Sequence, residues 1–316
     1  MDPASDMIRK LGSENYFESQ RAAWKLVEMK DEAVGPLIEA LQSDESQIRF
    51  KSAWSLGKIT DRRAVDPLSQ ALLEDEDETV REWSAAALET IGDDRAIVPL
   101  ARALRSDEAK DVRLRASRAL VVLGASEALM ELLDEPDNIT RRMVIVGLGH
   151  LGCLESMGEV ASLIDDQDDE IRRRVAWFLG CVGSDEAVVL LRPALEDASH
   201  VVRMEAAKAL AAIGGEEGCT MVLGLTEDDH PHVRLTAVTS LGEMGLSAAL
   251  ERLVEIVFGE DDEEIRAWAA WSLGEIGDPQ AIGPLKEACQ HCPPQVQDKA
   301  RDSLREVFDL DPDESM

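Results

Sequence analysis

Aromatic residues are scarce in this chain: 4% of its 316 residues are Phe, Trp or Tyr, with a single tyrosine. A core must then come from aliphatic side chains, and the 45% hydrophobic content supplies them, while 31% charged residues solvate the outside. That balance fits a helix-rich protein in water. Long apolar runs are missing too. No stretch approaches the roughly 18 apolar residues of a membrane helix, and the opening MDPASDMIRKLGSE lacks a basic region followed by an apolar core, so a cytoplasmic protein is expected. The five cysteines, Cys153, Cys181, Cys219, Cys289 and Cys292, are too sparse and odd in number for a disulfide framework and read as reduced thiols. Basic residues are the last shortage. With 33 bases against 64 acids the formal charge is −31, a field that repels phosphate backbones, so neither nucleic acid nor a membrane surface is an expected partner. Only 9 of the bases are Lys against 24 Arg, and an acidic, lysine-poor surface is what halophilic proteins show.

What is present is a repeat. The stretch IRFKSAWSLGKITD, residues 48–61, returns as VREWSAAALETIGDD from Val80 and as IRAWAAWSLGEIGD from Ile265. Its arginine recurs as Arg49, Arg81, Arg113, Arg141, Arg172, Arg203, Arg234 and Arg266, with Gln297 in the slot last, at spacings of 32, 32, 28, 31, 31, 31, 32 and 31. Seven places after each anchor stands a leucine, from Leu56 to Leu304, nine times of nine. An earlier copy, SQRAAWKLVEM from Ser19, keeps Leu26 but not the arginine, as a terminal, capping unit would. Length alone favours about two domains, but a repeat of this regularity overrides that prior.

Apolar or small residues fall one before and three, four, seven and ten after each anchor, the period of an amphipathic helix. That helix, the second of each unit, is predicted to stop at a glycine eleven after the anchor (Gly92, Gly124, Gly152, Gly183, Gly214, Gly245, Gly277), where a left-handed cap suits Gly. The next segment, as in RRAVDPLSQAL or PQAIGPLKEAC, is predicted to be a shorter helix with a proline inside it.

Two helices in about 31 residues, with the pattern Asp, Val-Arg, Ala-Ala, Ala-Leu-Gly, Ile-Gly-Asp, resemble the short HEAT-like repeat of phycobilin lyases. The resemblance covers about residues 16–308 and implies an all-α solenoid of about ten two-helix repeats, with first helices convex and second helices lining a concave groove. The expected layout is one solenoid over 1–308 and a short acidic tail over 309–316. The unit spaced by 28, around SEALMELLDEPDNITRR, is short by about a turn and is expected to perturb the curvature there.

The repeated arginine has two readings. Its planar fork can clamp phosphate or carboxylate groups. Alternatively it forms a structural ladder between repeats with the acids four or five places before most anchors, Asp44, Asp77, Asp137, Asp168, Asp229 and Asp261, which also sit where a helix N-cap belongs; the ladder is the expectation, with Asp44 as counterpart of Arg49. GLGHLG matches a dinucleotide-binding pattern, but Gly149 and Gly152 are the repeat's own late-helix and capping glycines, without the strand that fingerprint needs. Deoxyhypusine hydroxylase resembles this architecture and holds two irons through His-Glu pairs after the anchor arginine; the equivalent pairs here, such as Glu82-Trp83 and Met204-Glu205, contain none, which speaks against an oxidoreductase. CQHC at Cys289 to Cys292, and His200 with His230 and His232, are incomplete as zinc sets. No metal, no cofactor and no catalytic residue is expected. DLDPDESM at the end lacks the glycine and closing glutamate of a calcium loop.

All six tryptophans fall on second helices and in two slots: Trp24, Trp54, Trp177 and Trp271 five after the anchor position, Trp83 and Trp268 two after it. The slots lie on one face and vary between repeats. The same stripe carries Lys51, Arg115, Arg118, Arg142, Arg173 and Arg174, so its middle is expected to be basic. Trp and Arg dominate binding hot spots, which makes Trp24, Trp54, Trp83, Trp177, Trp268, Trp271, Lys51, Arg115, Arg118, Arg142 and Arg174 the candidate partner-binding residues; the alternative is that the tryptophans pack against one another across helices. Acid runs EDEDE (74–78), DDQDDE (165–170) and EDDEE (260–264) fall in the turns between first and second helices, either steering a basic partner or simply solvating those turns. The expected function is a non-enzymatic scaffold holding a protein or peptide segment in its groove. The resemblance leaves a tetrapyrrole-handling, lyase-like protein as the alternative.

Overall fold

In the computed structural model, residues 3–310 are described, and among them there are twenty α-helices and no strand. They come in pairs. The first ten are α1 Pro3–Leu11, α2 Tyr16–Met29, α3 Asp31–Ala40, α4 Ser46–Ile59, α5 Val65–Glu74, α6 Glu78–Ile91, α7 Ile97–Ser106, α8 Lys110–Val122, α9 Ser126–Met130 and α10 Asn138–Leu151. The others are α11 Met157–Ala161, α12 Asp169–Val182, α13 Asp185–Leu190, α14 His200–Ile213, α15 Glu216–Gly224, α16 Pro231–Met244, α17 Leu250–Phe258, α18 Glu263–Ile276, α19 Ile282–His291 and α20 Pro294–Glu306. Odd-numbered helices are the first of each repeat and even-numbered ones the second. The fold is the all-α solenoid type, and its contacts divide into two compact units, residues 1–153 and 154–316. Residues 311–316 of the expected acidic tail lie outside the described residues.

Within each unit every second helix packs on the next second helix and on its own first helix. The leucine seven after each anchor is the centre of that contact: all nine are fully buried. At roughly 1.5–3 kcal/mol for each buried leucine side chain, this one slot drives much of the stacking. The second helices end as expected. All seven capping glycines have positive φ, and the same slot in the first two repeats holds Lys30 (φ 50°) and Thr60 (φ 61°), which adopt that conformation without being glycine.

The Leu-Gly pair explains how closely the layers approach. A Cβ on Gly57 would stand 2.8 Å from the Ala87 Cα, and one on Gly180 2.9 Å from the Ala209 Cα, so the glycine eight after the anchor lets one helix touch the backbone of the next. Second-helix pairs that carry this glycine, α4/α6, α12/α14, α16/α18 and α18/α20, are the most extensively packed. Where the slot holds Val27, Glu89, Val121 or Ala211 the pairs meet over less surface.

Two expectations change in detail. Pro67, Pro99 and Pro284 fall in the first turn of the α-helical part, behind a short 3₁₀ turn, where the missing N–H costs no bond; only Pro36 is well inside its helix. The turn missing from the 28-residue unit is the 3₁₀ turn ahead of its first helix: α9 starts at Ser126, two residues after Gly124, whereas α11, also of five residues, follows the 3₁₀ turn Leu154–Ser156.

Candidate functional site

Five of the anchor arginines bridge neighbouring repeats through two parallel bonds. Arg49 donates from Nε and Nη2 to the two carboxylate oxygens of Asp75, both at 2.8 Å, and from Nη1 to the Ser43 and Asp44 carbonyls. Arg81 does the same with Asp107, Arg172 with Asp197, Arg203 with Asp228 and Arg234 with Asp261. Each arginine therefore bonds the acid of the following repeat. The carbonyls of Asp75, Asp197 and Asp228 also accept from the next arginine, Asp75 from Arg81 at 2.9 Å. The carboxylates of Asp75, Asp107, Asp197 and Asp228 also accept the backbone N–H two residues on, and Asp261 that of Asp262. The bidentate bonds hold the guanidinium pKa values above the ordinary arginine range, against the opposing effect of burial.

The ladder between repeats stands, but its acids are mostly not those expected. Asp44 gives Arg49 only its carbonyl. Asp77 and Asp168 are N-caps whose side chains accept Thr79 and Glu170 amides, while Asp229 is a secondary contact of Arg203. The partner is an aspartate six before the next anchor, as in Asp75, Asp107, Asp197 and Asp228; only Asp261 and Asp137 of the expected set serve. Asp137 replaces the rung in the shortened unit. There Arg113 makes a single bond of 3.1 Å and its Nε is left buried without a partner. Arg141 bonds Asn138 at 2.8 Å. Among the described residues Arg266 meets no aspartate. Its Nε donates to the Val257 carbonyl and its Nη2 lies 4.0 Å from Cys292 Sγ, while Gln297 donates to the Cys292 carbonyl.

The tryptophans stay partly in solvent. Trp24 is 52% exposed, and Trp54, Trp83, Trp177, Trp268 and Trp271 are half-buried. Trp24 and Trp54 meet edge to face at 5.1 Å between ring centroids, and Trp268 and Trp271 at 5.3 Å. Trp54 and Trp83 share a small depression over Gly57 and Ala87 with Lys58 and Thr90. In both edge-to-face pairs the edge of one indole covers part of the other's face, while part of every tryptophan stays in solvent.

The expected basic stripe is corrected. Lys51 is 7% exposed, and its ammonium donates to the Ser19 hydroxyl, so it faces the interior between second helices; burial pulls its pKa below the usual lysine value. Arg115 pairs with Glu82 at 3.5 Å and Arg118 with Glu89 at 3.2 Å. Arg173 and Arg174 both pair with Glu170, at 2.6 and 3.0 Å. Glutamates on the same face thus neutralise these arginines, and Glu89 does so from the slot where other repeats carry the close-contact glycine. A glutamate in the glycine slot was readable in the sequence. Arg142 lies on α10, the next second helix.

His200 and His230 stack at 4.0 Å with their rings 9° from parallel, and His232 meets His230 edge-on at 5.2 Å. His230 is the N-cap of α16, and its Nδ1 is buried without a partner. Among the described residues no group of three or more His, Cys, Asp or Glu is set to hold a metal ion, Cys289 and Cys292 included. None of the five cysteines is in a disulfide. No helix of the described residues is long and apolar enough to cross a membrane.

Comparison with known proteins bears on the repeat. No curated protein matches the sequence. Among solved structures, Kap121p bound to Ste12p is 14% identical with a TM-score of 0.66, covering 97% of this chain and 42% of its own. Yeast importin-beta (Kap95p) is 15% identical with a TM-score of 0.62, covering 97% and 49%. Human deoxyhypusine hydroxylase is 20% identical over 97% and 96% of the two chains, but with a TM-score of 0.37 it carries no argument. The chain therefore spans less than half the length of these two karyopherins, and at such identities the likeness is one of fold. The family of HEAT repeats matches residues 7–89, 61–121, 126–211, 159–230 and 220–305, and the chain belongs to it.

Proposed function

We propose that this HEAT-repeat chain is a binding scaffold, without catalysis of its own, that holds a segment of another protein along the face of its second helices. The observation that carries this is the set of six tryptophans: they occupy the two slots the repeat leaves variable, and their rings stay partly in water although packing positions a residue away are sealed. A half-exposed indole offers large, rigid contact area, the material of binding hot spots. The karyopherins, one of them bound to Ste12p, put the same fold beside a protein partner, which makes the role a natural one for the architecture.

The tetrapyrrole reading relied on arginines free to meet propionates. Arg115, Arg118, Arg173 and Arg174 are engaged by glutamates, so that reading has no open basic group among them. The test of the scaffold is Trp54→Ala combined with Trp177→Ala. The double variant should keep the helical circular dichroism and thermal transition of the parent and lose partners captured from the native organism. A folded double variant that captures the same set would sink the proposal.

A further inference from the structure

We infer that the occupant of the tryptophan face is a basic peptide segment, whose arginine or lysine side chains lie on the Trp268 ring in the recess between α18 and α20. This rests on the scaffold reading above and gives its partner a chemistry.

The recess, about 440 Å³, is lined by Glu264, Ala267, Trp268, Gln295, Asp298 and Lys299. Its floor already holds a cation: the Lys299 ammonium stands 4.9 Å from the Trp268 ring centroid. The first unit repeats the arrangement, with Lys58 5.8 Å from the Trp54 ring. Two of the nine lysines in the chain are thus spent on the two tryptophan faces, in repeats far apart in the sequence. An ammonium over an indole face is attracted by the ring's quadrupole. A guanidinium adds planar stacking to that attraction and carries a weaker hydration shell, so an incoming arginine outcompetes a flexible lysine for the same face. The walls supply the counter-charge. Glu264 is exposed and makes no ion pair among the described residues, and Asp298, opposite it, keeps a largely exposed carboxylate beside Arg301. Trp271, edge to face with Trp268 at 5.3 Å, fixes the ring.

The charges elsewhere decide the sign of the partner. Paired arginines leave the second-helix face without an open anion site at Arg115, Arg118, Arg173 or Arg174, while the whole chain carries a formal −31. A positively charged segment is drawn in by that field, and the indoles give the field a specific place to end.

The test is tryptophan fluorescence and calorimetric titration of the full chain at about 0.15 M salt, where exposed charges beyond about 8 Å are screened. Three peptides of equal length are compared: arginine-rich, its neutral citrulline counterpart, and glutamate-rich. The arginine peptide should bind with an indole spectral change and the other two should not. Trp268→Ala should weaken it roughly three- to tenfold, the span of a partly exposed cation–π contact, and Trp268→Phe should recover part of the loss. Lys299→Ala should tighten binding by vacating the ring. Three results would overturn the inference: equal binding of the arginine peptide by the parent and Trp268→Ala, which is diffuse charge attraction alone; preferential binding of the glutamate peptide; or sedimentation showing that a second copy of the chain covers the face. Each leaves the scaffold standing, because the Trp54 and Trp177 double variant tests that separately. Conversely, arginine-peptide binding that responds to Lys299→Ala, beside a double variant that captures every partner, would retain the recess and dismiss the scaffold.

Discussion

Arg49 and Asp75 are 26 residues apart in the chain and meet through two parallel hydrogen bonds of 2.8 Å, with side chains only 9% and 6% exposed. Removing one member of such a pair strands the other charge in the interior. Arg49→Ala or Asp75→Ala should therefore cost about 3–5 kcal/mol in denaturant unfolding. Arg63 and Asp31, an exposed pair, should lose far less on the same treatment. Comparable losses at both pairs would show that the ladder does not carry the array.

The close approach at Gly180 gives a second measurement. A Cβ there falls 2.9 Å from the Ala209 Cα, which is backbone and cannot swing aside, so Gly180→Ala should destabilise by about 1–3 kcal/mol. Thr60 is the opposite case. It holds φ 61° with a β-branched side chain, and Thr60→Gly should stabilise by about 1 kcal/mol as read by the thermal midpoint.

Much of this was legible in the sequence. The arginine register, Leu56 to Leu304 and the capping glycines give the second helices and their buried face, because stacking imposes the same demand on every unit. The rungs were half legible. Proximity in sequence favoured Asp44 for Arg49, but the arginine side chain points toward the next repeat, and the usable signal is an aspartate 25 to 27 residues later. Ser43 confirms the rule from the other side: it fills the acid's slot where the preceding anchor is Ser19, and no guanidinium is there to be met. The burial of Lys51 was not legible, since the slot it shares with Trp83 and Trp268 is half-open in their repeats.

Acid should dismantle the ladder. Burial, the largest single influence, opposes ionisation of Asp197, Asp228 and Asp261, but the hydrogen bonds and charge of Arg172, Arg203 and Arg234, together with the Ser199, His230 and Asp262 backbone N–H groups, outweigh it and hold their pKa values below the ordinary aspartate range. Groups with a depressed folded pKa stabilise fully above their unfolded value, about 3.9, and lose that stabilisation as pH falls through the folded one. Unfolding midpoints should drop steeply below about pH 4, and Asp228→Asn should be less stable at pH 7 yet show a shallower acid limb.

A smaller step belongs to the histidines. Burial first, then His200, His232 and Arg203, lower the His230 pKa, with Asp228 opposing them. The stack prefers the neutral ring, so its contribution is complete above about pH 6.5, the unfolded value, and fades as pH falls through the folded one. His200→Ala with His230→Ala should remove the step between roughly pH 5 and 7.

Salt should raise the thermal midpoint. Repulsion among surface acids of a chain with formal charge −31 is screened as the Debye length shrinks to about 3 Å at 1 M, while the buried rungs are screened far less. A midpoint that falls with added sodium chloride would assign the rungs, rather than surface repulsion, the larger salt response.

In the rungs Arg49–Asp75, Arg81–Asp107, Arg172–Asp197, Arg203–Asp228 and Arg234–Asp261 one repeat hands an arginine to its successor and the successor returns an aspartate, so a unit that carries both can be copied between two such rungs without an orphaned charge. Growth by duplication is therefore electrostatically neutral for units that carry both partners, and not for the second repeat, whose Ser43 would face a copied Arg49. It is not neutral after the last repeat, where Arg266 ends against Cys292 and Gln297 offers no guanidinium. A unit duplicated from the interior and inserted behind Gln297 would bring an aspartate with no arginine to meet it, so the charge pattern that tolerates copying at complete rungs penalises it there.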